Sequence, residues 1–488
     1  MSKPSLLSFV LPVYRPDFIL LEKVLKALST QSLKNWEAVW VLDGEDGAAE
    51  KAIHRAFKKL KNEYKVVTIP HGGAQKARNE GFKHTKGDYV VFFDSDCVID
   101  VHTAQAWVDM LDKNPDVGFI YSGYDFLNEQ GRIASEPFDP WTLRVRNYIS
   151  ACFPVRRELV GVWNESLESL QDWDFWLGVV ERGGKGMYLQ GSGFATAFPT
   201  PKSISGMGCT NEVWLSRMDK VRELHGIPKR EVCVTSVHER MDGIALAKAI
   251  DADYQDHPND KPNHYKTIIQ IGFSVKPGEF ERCALAWGKD HKKVIFWTAD
   301  DIETIHDGVS LRALSHYAPR INQLAKQFVE DKAAKAVMEK AGFAVEVLPL
   351  PVISTGDVQP LPAKAKFLVD YSPAYAHALN AIQRAIPDIT LSPVGGIQDM
   401  KDYTGLVCFR QDRMLRPSVK RMLAAGRHVI SNIQSPFAGF VEDKATDGQF
   451  MREFVNKIRA AAKAPQSKEQ VRYWIDPRRV TKVKEAIA

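Results

Sequence analysis

The chain lacks several patterns that would fix its class at once. Its six cysteines, Cys97, Cys152, Cys209, Cys233, Cys283 and Cys408, show no Cys-x-x-Cys spacing. That excludes a zinc ribbon and supplies no disulfide framework; reduced thiols in a cytosolic protein are the simplest account. No segment holds the roughly 20 apolar residues needed to cross a bilayer. The apolar run Leu6–Val13 is broken by Ser8 and Pro12, so it does not read as a secretory leader. The expected location is cytoplasmic, with any membrane contact peripheral. Charge of one sign is also missing, since 65 basic residues stand against 60 acidic ones for a net of +5. Such a balance gives no ground for nucleic acid or an anionic membrane as partner and allows only a mildly basic cleft.

What is present is the composition of a folded protein, 44% hydrophobic and 26% charged. At 488 residues the chain exceeds one ordinary core, and two or three domains are expected. Leu6–Val13 predicts a strand, and a helix follows over Phe18–Gln31, where Leu20, Leu21, Val24, Leu25 and Leu28 make one apolar face. A strand from Glu37 ends in Asp43–Gly44, a helix spans about Ala48–Lys61, and a strand covers Lys65–Ile69. Strand and helix alternate, which predicts an α/β nucleotide-binding architecture on a parallel sheet.

The stretch Gly72–Asp100 organises this region. Gly72–Gly81 opens a helix, and the run Tyr89–Phe93, preceded by Gly87–Asp88, reads as a buried strand. It ends in Asp94–Ser95–Asp96. Two carboxylates one residue apart at that end lie where open α/β sheets bind ligands. Hard oxygen ligands suit a divalent cation that keeps some water and is shared with substrate phosphates, as Mg²⁺ does. The plainer alternative is a turn whose Asp side chains bond their own backbone.

At this point the residues resemble the family 2 glycosyltransferases, which have the GT-A fold. The resemblance rests on Val10–Tyr14, the strand ending in Asp43–Gly44, Ala77-Arg78-Asn79-Glu80-Gly81, Gly87–Val90, Asp94–Ser95–Asp96 and Leu170–Trp176, and covers about residues 5–205. It implies that Pro12, Tyr14 and Asp43 contact the nucleotide, that Arg78 and Asn79 lie near the base and diphosphate, and that Ser95 sits among the donor contacts. Asp94 and Asp96 would meet the ribose and a divalent metal, Mn²⁺ or Mg²⁺, on the diphosphate of a nucleotide sugar, with a UDP-sugar favoured. Asp172 matches the general base. Trp173 and Trp176 either stack on a sugar acceptor or belong to the core, and Asp174 is expected on the exposed side of its helix. The chain departs from the family pattern at Leu42, where a second Asp is usual, and at Gln171, where Glu is common. A Tyr-Arg-x-His stretch is absent around Ala197–Ser203, where Lys202 supplies the only positive charge. Trp141, Arg144, Arg146, Arg156 and Arg157 either face an anionic acceptor or a lipid headgroup or, as expected, lie on solvated surface.

The expected domains are a GT-A domain over residues 1–235, a polar, proline-bearing linker over 236–265, and a second α/β region over 266–488. Helices are expected at Val213–Leu224, Arg240–Ala252, Ala318–Gly342, where the pattern allows a break, and Tyr375–Ala385, with a charged helix over Ser467–Ile487. The second region resembles the Rossmann-like halves of GT-B glycosyltransferases at Pro417–Ser418, Met422–Ser431 and Leu348–Val352, although Arg421 stands where their ribose-holding Glu would be. That resemblance implies a terminal helix crossing back onto the first half. Arg410, Arg413, Arg416, Lys420 and Arg421 recur at helical spacing and are expected mostly on solvated surface, and Gly395–Gly396 reads as a turn.

Together these readings give a metal-dependent inverting glycosyltransferase as the leading expectation. A two-headed glycosyltransferase and a non-catalytic glycan- or nucleic-acid-binding protein are its rivals. The acceptor stays open among a glycan, a lipid-linked sugar, a protein and modified DNA, and an oligomer is allowed.

Overall fold

The computed structural model describes residues 5–127, 131–133, 135–197, 211–236, 240–255, 265–272, 292–298, 301–302, 315–351, 361–371, 376–393, 403–409, 417–431, 438–440, 447–466, 470, 475 and 477–487. Lys202, Gly395–Gly396, Arg410, Arg413 and Arg416 lie outside the described residues. The chain divides into two compact units, Met1–Lys229 and Arg230–Ala488. Among the described residues, no helix is long and apolar enough to cross a membrane.

The first unit is built on a nine-stranded sheet. Its strands are β1 (Leu7–Val13), β2 (Trp36–Asp43), β3 (Glu63–Ile69), β4 (Tyr89–Phe92), β5 (Cys97–Val98), β6 (Phe119–Phe126), β7 (Arg132–Ile133), β8 (Val155–Arg156) and β9 (Gly186–Thr196). They run in the order β3-β2-β1-β4-β8-β6-β9-β5, with β7 on β6. The first four strands are parallel, and β1, β2 and β4 are buried almost throughout. This is why they read as continuous apolar runs rather than alternating ones. The sheet is not parallel throughout: β8 is antiparallel to β4 and β6, and β5 is antiparallel to β9. Strands of two residues leave no periodicity to read.

Helices α1 (Phe18–Ser29), α2 (Gly47–Phe57) and α3 (Ala74–Lys83) follow the first three strands. Asp17 caps α1 by accepting from the amides of Ile19 and Leu20, and Leu21, Val24, Leu25 and Leu28 form its buried face. Helix α3 lies directly on β1 and β2. A Cβ at Gly81 would come within 2.5 Å of Val10 Cγ1 and 2.9 Å of Val41 Cγ2, so only glycine allows this approach. Helices α4 (Thr103–Lys113), α5 (Pro140–Val145), α6 (Gln171–Glu181) and α7 (Asn211–Leu224) complete the unit.

The second unit contains two parallel sheets. One comprises β10 (Val232–Ser236), β11 (Asp253–Gln255), β12 (Thr267–Ile271), β13 (Lys292–Trp297), β14 (Lys326–Val329) and β15 (Glu346–Val347), in the order β11-β10-β12-β13-β14-β15. The other comprises β16 (Lys366–Tyr371), β17 (Thr390–Pro393), β18 (Gly405–Phe409), β19 (His428–Ser431) and β20 (Gly439–Phe440), in the order β17-β16-β18-β19-β20.

The unit therefore starts before the expected linker, which contributes helix α8 (Arg240–Ile250) and strand β11 to the first of these sheets. The long helix expected over Ala318–Gly342 is two helices, Ala318–Leu324 and Lys332–Lys340, separated by β14. The helix Arg478–Ile487 packs on α8, and Lys326 Nζ donates to the carbonyl of Ala486 at 3.4 Å. The end of the chain thus returns to the first sheet of its own unit.

Several charged residues expected on the surface are structural. Arg146 is 9% exposed and pairs with Glu136 at 2.5 Å. Arg156 donates to the carbonyls of Val117, Leu111 and Asn114, and Arg157 to those of Thr85 and Gly87. A guanidinium with five donors suits such carbonyl clusters. Lys420 is 2% exposed and pairs with Glu330.

Candidate active site

The site is assembled at the C-terminal ends of β1, β2 and β4 and at the start of α6. Asp43, the last residue of β2, is 2% exposed. Its Oδ1 accepts from the Gly72 amide at 2.7 Å, and its Oδ2 accepts from the Gly73 amide and faces His71 Nδ1, both at 2.9 Å. Gly73 has φ +92°, a region that favours glycine, and it turns the two amides onto one carboxylate. Asp43 thereby fixes the loop that enters α3. His71 in turn stacks on the half-exposed Tyr14, 4.1 Å between centroids and 11° between planes, with Arg15 over the other ring at 5.1 Å. Pro12 is half-buried in β1 just before this aromatic ledge.

Arg78 forms the centre. Its guanidinium donates to Asp94 Oδ1 at 2.7 Å and lies 4.4 Å from the Trp163 ring, while its Nε has no protein partner. Asn79 shapes the site indirectly. Its side chain accepts from the Trp163 amide and donates to the Trp163 carbonyl and to Glu165, so it holds the loop on which Arg78 rests. Trp163 then stacks on Phe175 at 4.4 Å and 5°, and Phe92 of β4 meets both rings edge-on. This aromatic wall ties the strand carrying Asp94 to the helix carrying Asp172.

Asp94, Ser95 and Asp96 are half-buried in the turn after β4. Burial, together with the neighbouring charge of Asp94, pushes the Asp96 carboxyl up to about 6. Like charges held close in a partly dry turn are relieved by a cation, so this donor set fits a hard divalent metal. Behind the turn, the thiols of Cys97 and Cys152 lie 3.7 Å apart. Their 55-residue separation in sequence hid this pair.

Asp172 is the second residue of α6. It follows Leu170, a non-glycine residue at φ +61°, a strained conformation of the kind that collects at functional sites. Desolvation raises its carboxyl above the usual range, against the Trp173 amide, the charge of Arg78 and a bond from Asn147. Arg78 therefore bonds Asp94 and acts with its charge on Asp172. Tyr124, pushed up to about 12 by burial and then by the charges of Asp172, Cys152 and Cys97, borders the same region.

Two acceptor candidates do not belong to the site. Trp173 is 1% exposed and donates to the Leu143 carbonyl, and Trp176 is fully buried and donates to the Ser150 carbonyl. Both are core residues with satisfied N–H groups. Asp174 is not on the open side of its helix either: it meets His225 Nε2 at 3.0 Å, and its side chain is 12% exposed.

Residues 8–160 match the family model described as Glycosyl transferase family 2. The chain is 29% identical over 188 residues to the uncharacterized protein y4gI of Sinorhizobium fredii, covering 36% of this chain and 20% of that protein. It is 28% identical over 191 residues to the uncharacterized glycosyltransferase RC0461 of Rickettsia conorii, covering 35% and 31%. It thus spans less than a third of the length of these curated relatives. Among solved structures, S. aureus TarS 1-349 in complex with UDP-GlcNAc aligns at a TM-score of 0.38 and 15% identity over 69% of this chain and 88% of that one. The same fragment in complex with UDP gives 0.35 and 19% over 52% and 68%. The first unit thus carries a stretch, residues 8–160, that matches the glycosyltransferase family 2 model, on a mixed α/β sheet.

Proposed function

We propose that the first unit transfers a sugar from a nucleoside-diphosphate sugar, with UDP as the favoured nucleotide, to an acceptor hydroxyl with inversion. The observation that carries this is the position of Arg78, bonded to Asp94 at 2.7 Å and acting with its charge on Asp172. One carboxylate of the donor-binding turn, Asp94, and the candidate base Asp172 thus share one cationic neighbour.

The Tyr14–His71 ledge offers a flat surface for the base, and Asp43 holds it in place. Asp96, with Asp94, would hold a divalent cation, Mn²⁺ or Mg²⁺, which neutralises charge on the leaving diphosphate. Arg78 keeps Asp94 oriented and adds positive charge beside it. Asp172 takes the acceptor proton, and desolvation makes it a stronger base at neutral pH than an ordinary Asp. In the second unit, the two parallel sheets meet through Lys420 and Glu330 near their C-terminal edges. Read as a GT-B-like region, this unit would serve as a module that positions acceptor or mediates assembly.

The test is donor hydrolysis and transfer with a panel of nucleotide sugars and acceptors. Asp172→Asn should lower turnover by about 10²–10⁴, the usual contribution of a positioned base, while leaving UDP binding with Mn²⁺ intact by calorimetry. Asp96→Ala should abolish that metal-dependent binding. Unchanged turnover in both variants would sink the assignment, and absence of UDP binding by the wild type would favour a non-catalytic binding protein.

A further inference from the structure

The two thiols behind the carboxylate turn have no role in the transfer described above. Cys97 and Cys152 are both buried, and neither is in a disulfide. Their Sγ atoms are 3.7 Å apart, Cys152 Sγ lies 3.6 Å from Asp94 Oδ2, and Cys97 Sγ lies 3.7 Å from Asp96 Oδ1. One donor atom each from Asp94, Cys97 and Cys152 falls within 4.8 Å of the others.

The Cys97–Cys152 and Cys152–Asp94 separations are those of ligands on one tetrahedral ion. Two thiolates about 2.3 Å from such an ion sit ~3.8 Å apart, and a thiolate and a carboxylate oxygen at about 2.0–2.2 Å sit ~3.6 Å apart. Asp94 divides its oxygens accordingly, Oδ1 toward Arg78 and Oδ2 toward Cys152. Its side chain is 42% exposed, which gives an ion a way in from solvent.

We propose that Asp94, Cys97 and Cys152 form a site for a borderline-soft divalent cation of the zinc class. Binding forms two metal–sulfur bonds and one metal–oxygen bond, breaks two S–H bonds and releases both protons to solvent, with no change of oxidation state. The site differs in kind from the hard-cation site on the open side of the same turn, because thiolates select zinc-class ions over Mg²⁺ or Mn²⁺. A zinc-class ion there engages Asp94 Oδ2 and thus competes with the hard cation. That competition, unlike the site itself, rests on the function proposed above.

The experiment uses the full chain, reduced and freed of metal. Titration with Co²⁺ should give a thiolate-to-cobalt charge-transfer band that saturates near one equivalent. The band should be lost in Cys152→Ser and in Cys97→Ser and kept in Cys233→Ser, which alters a buried thiol of the second unit. Loss of a direct ligand should weaken binding by more than the roughly 10–100-fold typical of losing an outer-shell partner. X-ray absorption of the Zn²⁺-loaded wild type needs no variant and should show two sulfur neighbours at about 2.3 Å. An oxygen- and nitrogen-only shell, or a cobalt band unchanged in both cysteine variants, would overturn the site and leave only packed thiols. Calorimetry of UDP with Mn²⁺ on the same preparation reports the proposed function separately, so either can fail alone.

Discussion

The strands that end in acidic residues in the two units handle their charge in opposite ways. β4 of the first unit runs into Asp94 and Asp96, and the neighbouring negative charge helps push Asp96 up to about 6. β14 of the second unit runs into Glu330, which is 6% exposed and meets Lys420 Nζ at 2.6 Å. Burial raises the Glu330 carboxyl too, but there an ammonium pulls the other way. Where the fold supplies the counter-charge, a strand-end carboxylate becomes a fastener. In the turn after β4, Arg78 reaches Asp94, while Asp96 feels the like charge of Asp94, and the cation proposed there would relieve it.

Removing the counter-charge from the second unit breaks this contrast and should have the largest effect on stability. Lys420 Nζ also lies 3.4 Å from the Leu350 carbonyl, so the pair joins the helix Pro417–Ala424 to the connections after β14 and β15. Lys420→Met leaves a buried carboxylate unpaired and should cost about 3–5 kcal/mol. Adding Glu330→Leu should recover most of that, since a buried ion pair replaced by apolar groups is often near neutral. Urea unfolding of the single and double variants decides it. A double variant no more stable than Lys420→Met would mean that the pair is not a closed unit.

Helix α6 repeats the contrast within a few residues. Arg78 acts on Asp172 through its charge, whereas Asp174 and Glu181 both meet His225, at 3.0 and 2.9 Å. Burial alone would lower His225, but the bonds to Asp174 and Glu181 outweigh it and the imidazole is raised above 6.5. A histidine raised on folding contributes stability that is complete below its unfolded pKa of about 6.5 and is lost as pH climbs through the folded value. His225→Gln should therefore cost about 1.5–3 kcal/mol in mildly acid buffer, the range for hydrogen bonds to charged groups. The difference from wild type should shrink as pH rises past neutrality. A pH-independent difference would show that packing, not charge, holds α7 to α6.

The sequence carried the parts of this contrast that depend on local pattern. The buried strands β1, β2 and β4 were readable because their apolar runs are continuous, and the glycine at position 81 fits a helix laid flat on two strands. The sequence did not reveal what each polar group bonds to. Asp43 and Asn79 look like ligand contacts but are occupied by the loops at Gly72–Gly73 and Trp163. Trp173 and Trp176 have the chemistry of sugar platforms, yet the packing of α6 buries both. The pairing of Cys97 with Cys152 depends on β4 and β8 lying side by side, a long-range contact that no spacing rule encodes. The break allowed within Ala318–Gly342 is strand β14, whose four residues carry too little periodicity to read as a strand.

The smallest effect tests the open half of the contrast directly. The Asp96 carboxyl titrates near 6 in the folded chain against about 3.9 unfolded, so the folded state holds more protons between those values. Stability then falls as pH rises through that window, the opposite of an ordinary salt-bridged Asp. A shift of roughly two units sets an upper bound near 3 kcal/mol, and partial exposure of the turn reduces the expected loss to about 1 kcal/mol. Thermal melts of metal-free protein from about pH 4 to 7, compared with Asp96→Asn, isolate this slope from other titrations. The slope should vanish in Asp96→Asn and flatten when Mn²⁺ is added, because a bound cation stabilises the ionised pair. If Mn²⁺ left the wild-type slope untouched, the turn after β4 would be a strained loop rather than a cation site, and the two strand ends would differ in packing alone.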